Sequence, residues 1–148
     1  MKLVSSAFGN FDSIPIQYSG LGDDLSPPLR WQDVPDGTRS LALICEDPDA
    51  PHGTWDHWLL YNIPPSISVL AEGITQLPHG IRSCQNSWGK LGYGGPNPPS
   101  GKHRYFFRLY ALDTVLQLPE DAKKADLLKA MRSHTLAEAS LVGHYEKA

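Results

Sequence analysis

The sequence predicts one mainly β domain spanning residues 1–148, with one or two short helices near its C-terminal end. A length of 148 residues suits a single core, because a chain of about 150 residues buries roughly two thirds of its unfolded surface on folding. Thirteen glycines and thirteen prolines are typical of many turns between short strands. The segments between these turns carry strand patterns rather than helical ones.

Three segments are predicted to be buried strands. Residues 40–45 (Ser-Leu-Ala-Leu-Ile-Cys) form a short apolar run with turn residues near both ends. Residues 55–63 and about 103–112 alternate between two faces, as strands do. The odd-numbered residues from His57 to Ile63 are predicted to share one face of their strand, and those from His103 to Ala111 one face of theirs.

The C-terminal third contains the predicted helix, at residues 125–132. Leu127, Leu128 and Met131 would form its apolar side, with Asp126 and Lys129 opposite. Residues 135–140 are predicted to add one more helical turn. Residues 141–145 (Leu-Val-Gly-His-Tyr) are predicted to return to the sheet as a final strand.

Charge and hydropathy exclude several classes of function. The formal net charge is −3 and no basic cluster occurs, which argues against binding to nucleic acid or to an anionic membrane surface. No apolar run approaches the 18 or so residues of a membrane span. The first eight residues are too short for the apolar region of a signal peptide. We therefore expect a cytoplasmic protein.

Polar residues that could form a site gather beside proline turns at the strand ends. Asp47 and Asp49 lie in an Asp-Pro-Asp-Ala-Pro segment, His57 lies near the start of the second strand, and His103 and Tyr105 lie at the start of the third. Each proline restricts the residue before it to extended geometry, which limits side-chain directions. Three alternatives stay open: turn-forming aspartates, a histidine merely packed in the sheet, and a metal site of two Asp and two His.

The order of these motifs resembles the phosphatidylethanolamine-binding protein family, in its short prokaryotic branch. The matching segments cover nearly the whole chain and are residues 24–31, 47–51, 55–58, 92–99, 103–105 and 141–145. The resemblance implies a large antiparallel sheet with a smaller sheet packed on it. It also implies a shallow anion pocket near the surface, with no metal and no other cofactor.

The family's pocket can be transferred to this chain residue by residue. The implied ligand-binding residues are Asp47, Asp49, Trp55, His57, His103 and Tyr105, with Gly95 and Pro98 in a rim whose backbone N–H groups meet the anion. His57 is expected to donate a hydrogen bond to a phosphate oxygen, and Tyr105 would add a hydroxyl donor. Asp47 would orient a neighbouring imidazole.

The functional hypothesis is a non-enzymatic module that binds a small anionic or phosphorylated ligand. Relatives are associated with inhibition of serine proteases and with regulation of kinases, so a protein partner of either kind is the alternative. An enzyme using His57 and Asp47 as acid and base on a phosphoester ranks third, because no motif identifies a nucleophile. Short prokaryotic relatives are often homodimers, and we expect a homodimer here.

Overall fold

The computed structural model describes residues 1–147 and contains two sheets. The first sheet has the order β1-β3-β6, and the second, with six strands, has the order β2-β9-β8-β4-β5-β7. The strands are β1 (Lys2–Val4), β2 (Asp12–Ser13), β3 (Leu29–Gln32), β4 (Ser40–Asp47), β5 (Trp55–Ile63), β6 (Val69–Leu70), β7 (Arg82–Ser83), β8 (Lys102–Leu112) and β9 (Thr135–Glu146). All described pairings are antiparallel except that of β2 with β9. The predicted mainly β fold, with a smaller sheet against a larger one, is confirmed.

The three predicted strands form the centre of the large sheet. β5 has the predicted bounds, and β4 and β8 extend the predicted segments by two residues and one residue. β4 lies between β8 and β5, and seven of its eight residues are buried. A strand covered on both faces needs apolar side chains at nearly every position, which explains the uninterrupted apolar run from Leu41 to Cys45.

In the C-terminal region the predicted helix is confirmed, and the additional helical turn is wrong. The helix α1 (Lys124–Met131) lies one residue earlier than predicted. Residues 135–140 are not helical, because they belong to β9, which pairs with β8 from Lys102 opposite Glu146 to Leu112 opposite Thr135. Such a long ladder overrides the helix preference of Ala137 and Ala139. No helix within residues 1–147 is long and apolar enough to cross a membrane.

Two apolar cores lie on opposite faces of the large sheet. The core between the sheets joins Leu29 and Trp31 of β3 to Leu43, Phe107 and Leu109 of the large sheet. The core on the helix side contains Ile44, Leu59, Tyr61, Leu127 and Met131. The candidate site residues of β8 lie on the first of these faces, because Tyr105 packs in the core between the sheets.

The end of β5 departs from the predicted alternation at Ile63. Leu41 pairs with Ile63 and Leu43 pairs with Leu60, so β5 carries one extra residue, as in a β-bulge. Asn62 takes the positive φ of the bulge, at 57°. Ile63 consequently packs with Leu60 in the core between the sheets, and its predicted sharing of a face with Leu59 is wrong.

Asn62 is expected to stabilise this bulge through both its backbone and its side chain. Its side-chain Nδ2 donates to the carbonyl of Leu116, and its Oδ1 accepts from the Leu116 N–H, each at 2.8 Å. Asn62→Ala should lower the free energy of unfolding by about 2–4 kcal/mol, because two hydrogen bonds are lost and alanine tolerates positive φ poorly. Urea denaturation measures this loss.

The matched control for this prediction is Asn62→Gly. The glycine variant loses the same hydrogen bonds, but glycine adopts positive φ without steric cost. Its free energy of unfolding should therefore be about 1 kcal/mol higher than that of the alanine variant. Equal stability of the two variants would show that backbone conformation contributes nothing at this position.

Candidate functional site

The carboxylate of Asp47 lies buried at the end of β4, with 5% of its side chain exposed. Its Oδ2 accepts a hydrogen bond from Nδ1 of His103 at 2.6 Å, and its Oδ1 accepts from the Asp49 N–H at 2.8 Å. Burying a carboxylate is costly unless its oxygens are hydrogen-bonded. Both oxygens of Asp47 therefore have a donor, and the carboxylate fixes the orientation of His103.

His103 and Tyr105 present their side chains from β8 on the same face as Asp47. His103 is 7% exposed and Tyr105 is 1% exposed. Because Nδ1 of His103 donates to Asp47, Nε2 is the ring nitrogen left for a ligand. Burial, followed by the nearby Asp47 carboxylate, raises the pKa of the Tyr105 hydroxyl far above its usual value. Tyr105 therefore keeps its hydrogen at any physiological pH.

A second bulge in β5 positions His57. Cys45 pairs with Trp58 and Glu46 pairs with Asp56, so His57 has no partner on β4. Its ring packs edge-on against Tyr105, with ring centroids 5.1 Å apart. The prediction that His57 shares a face with Leu59 and Tyr61 is wrong, because those residues pack on the helix side of the sheet.

The hydrogen bonds of His57 define its tautomer. Nδ1 lies 2.6 Å from the carbonyl oxygen of Gly94, which can only accept, so Nδ1 is the donor. In return, the Gly94 N–H donates to the carbonyl of His57 at 3.0 Å. Burial lowers the pKa of His57, against the opposing effects of the Gly94 carbonyl and of Asp47. At neutral pH the ring is uncharged, with its hydrogen on Nδ1.

The rim loop, residues 92–99, is hydrogen-bonded to the segment that precedes β3. The Gly95 N–H donates to Oδ1 of Asp24 at 2.7 Å, and the Tyr93 hydroxyl donates to the carbonyl of Tyr18 at 2.7 Å. A Cβ on Gly95 would lie 2.2 Å from that same carbonyl oxygen, so only glycine fits there. Since its N–H is already used, Gly95 does not offer the anion contact expected from the sequence.

A cavity of about 680 Å³ opens where these side chains meet. Five of the eight predicted ligand-binding residues line it, namely Asp47, Trp55, His57, His103 and Tyr105. Gly95 and Pro98 do not line it, and Asn97 and Pro99 of the same loop do. The predicted polar residues therefore converge on one cavity, although the rim contributes different positions.

Trp88 is the main cavity residue that sequence reasoning missed. Its ring packs edge-on against His57 at 5.1 Å and against Trp55 at 5.5 Å. Oδ1 of Asn86 accepts from the backbone N–H groups of Trp88 and Lys90, which holds the tryptophan in a tight turn. The Asn-Ser-Trp-Gly sequence of residues 86–89 indicates a turn, but nothing in it predicts contact with His57.

Asp49 points away from the cavity and binds Arg104. Its Oδ2 accepts from Nε of Arg104 at 2.9 Å and its Oδ1 accepts from Nη2 at 2.8 Å, while the Arg104 N–H adds a third bond at 2.9 Å. The guanidinium lowers the pKa of Asp49 to about 2. Asp49 does not line the cavity. The turn-forming aspartate is Asp47, because its carboxylate accepts a hydrogen bond from the backbone N–H of Asp49. Asp49 instead joins the turn to β8 through Arg104.

A larger cavity, of about 1080 Å³, lies beside the edge strand β7. Leu25, Ile74, Leu77 and Leu91 are among the residues that line it. It contains neither of the imidazole rings described above, and we place the candidate site in the smaller cavity because buried titratable groups converge there. Within residues 1–147, no three His, Cys, Asp or Glu side chains are grouped so that they could hold a metal ion.

The comparison with known families decides which family this arrangement belongs to. The family model described as phosphatidylethanolamine-binding protein matches residues 4–146. The chain belongs to this family. Relatives named UPF0098 protein include one from Methanothermobacter thermautotrophicus, 51% identical, and one from Chlamydia muridarum, 47% identical. In both cases the alignment covers 99% of this chain and 99% of the relative.

Solved structures of the phosphatidylethanolamine-binding protein family have the same fold. A homologue from Chlamydia trachomatis is 45% identical, with a TM-score of 0.93 over 99% of this chain and 97% of that one. The E. coli protein YBCL, described as a new member of the mammalian family, is 30% identical, with a TM-score of 0.93 over 99% and 98% of the two chains. Family and fold, as the motifs implied, are confirmed, and the short prokaryotic branch is supported by the bacterial and archaeal relatives.

The pair of Asp49 and Arg104 predicts a pH dependence of stability. Because folding lowers the pKa of Asp49 to about 2, its contribution is present above pH ~4 and is lost as the pH falls towards 2. Solvent screening at this exposed pair keeps the contribution small. Asp49→Asn should therefore destabilise the protein at pH 7 and lose this effect near pH 2, as followed by urea denaturation.

The control for this experiment is Asp36→Asn, at an exposed aspartate. Its stability relative to the parent protein should change little between the two pH values. A loss in Asp49→Asn that is equally large at pH 2 would contradict the assignment of the effect to this ion pair.

Proposed function

We propose that the cavity binds a small anion, either phosphate or a phosphorylated head group. The observation that carries the proposal is the pair of imidazole rings whose Nδ1 atoms are both engaged, one by Asp47 and one by Gly94. Neither Nε2 atom has a hydrogen-bond partner among the described residues. Neither is among the fully buried atoms that lack a partner, so both are exposed to solvent. Both Nε2 atoms therefore reach the cavity, where they can meet one ligand.

The charges around the cavity also support an anionic ligand. Lys123 lines the cavity. The carboxylate of Asp56 is paired with Lys124 at 2.6 Å, and Lys124 also contacts Glu46, whose other oxygen binds Arg108. Asp47 is paired with His103. Since each of these carboxylates has a cationic or hydrogen-bonding partner, the wall does not present an uncompensated negative field to an anion.

Binding without turnover fits the remaining groups better than catalysis does. The name UPF0098 protein states no activity for the relatives that carry it. Both cysteines, Cys45 and Cys84, are free and buried, and burial raises the pKa of Cys84 to about 11. Neither thiol supplies the thiolate that a cysteine nucleophile needs. We therefore propose a ligand-binding protein in which neither cysteine acts as a nucleophile.

A second candidate function is docking of a protein partner at the mouth of the cavity. The observation that favours it is the exposed aromatic pair of Trp55 and Trp88, at 38% and 44% exposure. Exposed aromatic side chains beside a cavity are common in protein interfaces. The partner is a protease or a kinase, as the family resemblance implies, or a second copy of this chain, as the expected homodimer requires.

The first proposal predicts that His57→Ala abolishes anion binding and leaves the fold intact. Amide NMR titration with phosphate and then phosphoethanolamine should give saturable shifts at Asp47, His57 and Tyr105, with a dissociation constant in the range of about millimolar to micromolar. A tighter response to phosphoethanolamine would favour head-group recognition. In His57→Ala no saturable shift should remain at Asp47 or Tyr105, because the imidazole contact to the anion is lost.

His79→Ala is the matched control, since His79 is exposed and does not line this cavity. Its titration should match that of the parent protein. Undiminished anion binding by His57→Ala would contradict the proposal. If the parent protein showed no localised shift at tens of millimolar anion, the protein-partner candidate would take its place.

A further inference from the structure

In the free protein the His57 ring lacks a hydrogen on the side that faces the cavity. An anionic oxygen accepts hydrogen bonds, but the uncharged His57 ring already donates its only N–H, from Nδ1 to the Gly94 carbonyl at 2.6 Å. Its Nε2 carries a lone pair and can only accept. An acceptor facing an anion repels it, so the neutral ring does not make the hydrogen bond that the proposed function requires.

The ring cannot correct this by turning over. Tyr105 and Trp88 both pack edge-on against it, with centroids at 5.1 Å, and the reciprocal hydrogen bonds with Gly94 hold it at one end. A flip of the ring would break the bond to the Gly94 carbonyl and leave that half-buried carbonyl without its donor. Protonation of Nε2 keeps every existing contact.

We propose that an anion enters this cavity together with one proton, which Nε2 of His57 takes up. In this step a new N–H bond forms at Nε2, the Nδ1–H remains on the Gly94 carbonyl, and the imidazolium charge is matched by the anion. The proton comes from the solvent buffer or from the anion itself, when the anion has an acidic hydrogen. This inference rests on the proposed function and specifies the protonation state of the complex.

The charged and titratable groups around His57 decide whether it takes the proton. They are Asp47 on β4, Asp56 on β5, His103 and Tyr105 on β8, Asp24 in the loop before β3, and Lys123 before α1. Burial favours the neutral ring in the free protein, while the aspartates favour the charged ring. A bound anion adds a negative charge in direct contact and shifts this balance towards the imidazolium.

The inference distinguishes two chemical classes of anion. Sulfate has no acidic hydrogen at neutral pH, so its binding has to take the proton from solvent. A phosphate monoester retains one acidic hydrogen up to a pH of about 6 and can bring it into the cavity. Phosphate-type ligands should therefore tolerate a rise in pH towards 6 better than sulfate does.

Isothermal titration calorimetry with sodium sulfate tests the proposal on the complete chain. Titrations between about pH 6.5 and 8, in two buffers with different heats of ionisation, should show uptake of about one proton per sulfate. The dissociation constant should rise about tenfold for each pH unit in this range, because one proton is linked to binding. The rise begins above the pKa of His57 in the free protein, which is lowered from 6.5.

Two variants assign the proton to its residue. His57→Gln replaces the ring with an amide that donates without titrating, so sulfate should bind more weakly and the proton uptake should disappear. His79→Gln removes an exposed histidine outside the cavity and should leave the slope unchanged. If His57→Gln does not fold, imidazole ¹⁵N NMR of the parent protein at pH 7.5 replaces it, with Nε2 of His57 gaining a hydrogen when sulfate is added.

The outcomes separate this inference from the proposed function. Sulfate binding with a constant affinity and no proton uptake would overturn the inference and leave anion binding standing. Proton uptake that survives in His57→Gln would also overturn it. No binding of sulfate or inorganic phosphate at any pH from about 5.5 to 8 would overturn both the inference and the proposed function.

Discussion

The buried carboxylate of Asp47 is the constraint on which the site depends. A buried carboxylate needs a donor for each oxygen, and the chain supplies them from two directions. His103 on β8 satisfies Oδ2, and the N–H of Asp49 satisfies Oδ1. Asp49 in turn binds Arg104, the neighbour of His103. The end of β4 and the start of β8 are therefore joined by two linked polar contacts, and both fix how His103 meets the cavity.

The second constraint is a displaced residue in β5. A strand with strict alternation would send His57 to the helix side with Leu59 and Tyr61. The extra residue opposite Cys45 and Glu46 turns it instead towards Tyr105 and the rim loop. Bulges often re-aim a side chain next to a functional site. Here the bulge brings an imidazole from β5 into the wall of the cavity that His103 of β8 also lines.

The sequence allowed more of the fold to be predicted than of the site's geometry. β4, β5, β8 and α1 were predictable because each carries a local apolar pattern that agrees with its tertiary role. Residues 135–140 were not, because their pairing with β8 is a long-range contact that no local pattern reports. The family order of the motifs predicted that Asp47, Trp55, His57, His103 and Tyr105 would meet, and they line one cavity.

The differences at the site have physical causes that spacing does not reveal. Asp49 and Gly95 lie in the right segments, but Arg104 and Asp24 use the groups that a ligand would have needed. Trp88 lies in a turn whose direction is determined by Asn86 and by contact with His57. These positions depend on which donor meets which acceptor after folding, and residue type alone leaves several choices open.

The most direct test of this account is the tautomer of His57 in the free protein. Long-range ¹H–¹⁵N spectra of the imidazole rings near pH 8 distinguish a hydrogen on Nδ1 from one on Nε2. The account predicts that Nδ1 of His57 carries the hydrogen and that Nε2 is bare, because the Gly94 carbonyl accepts at 2.6 Å. A hydrogen on Nε2 with a bare Nδ1 would contradict the geometry from which both proposals are argued.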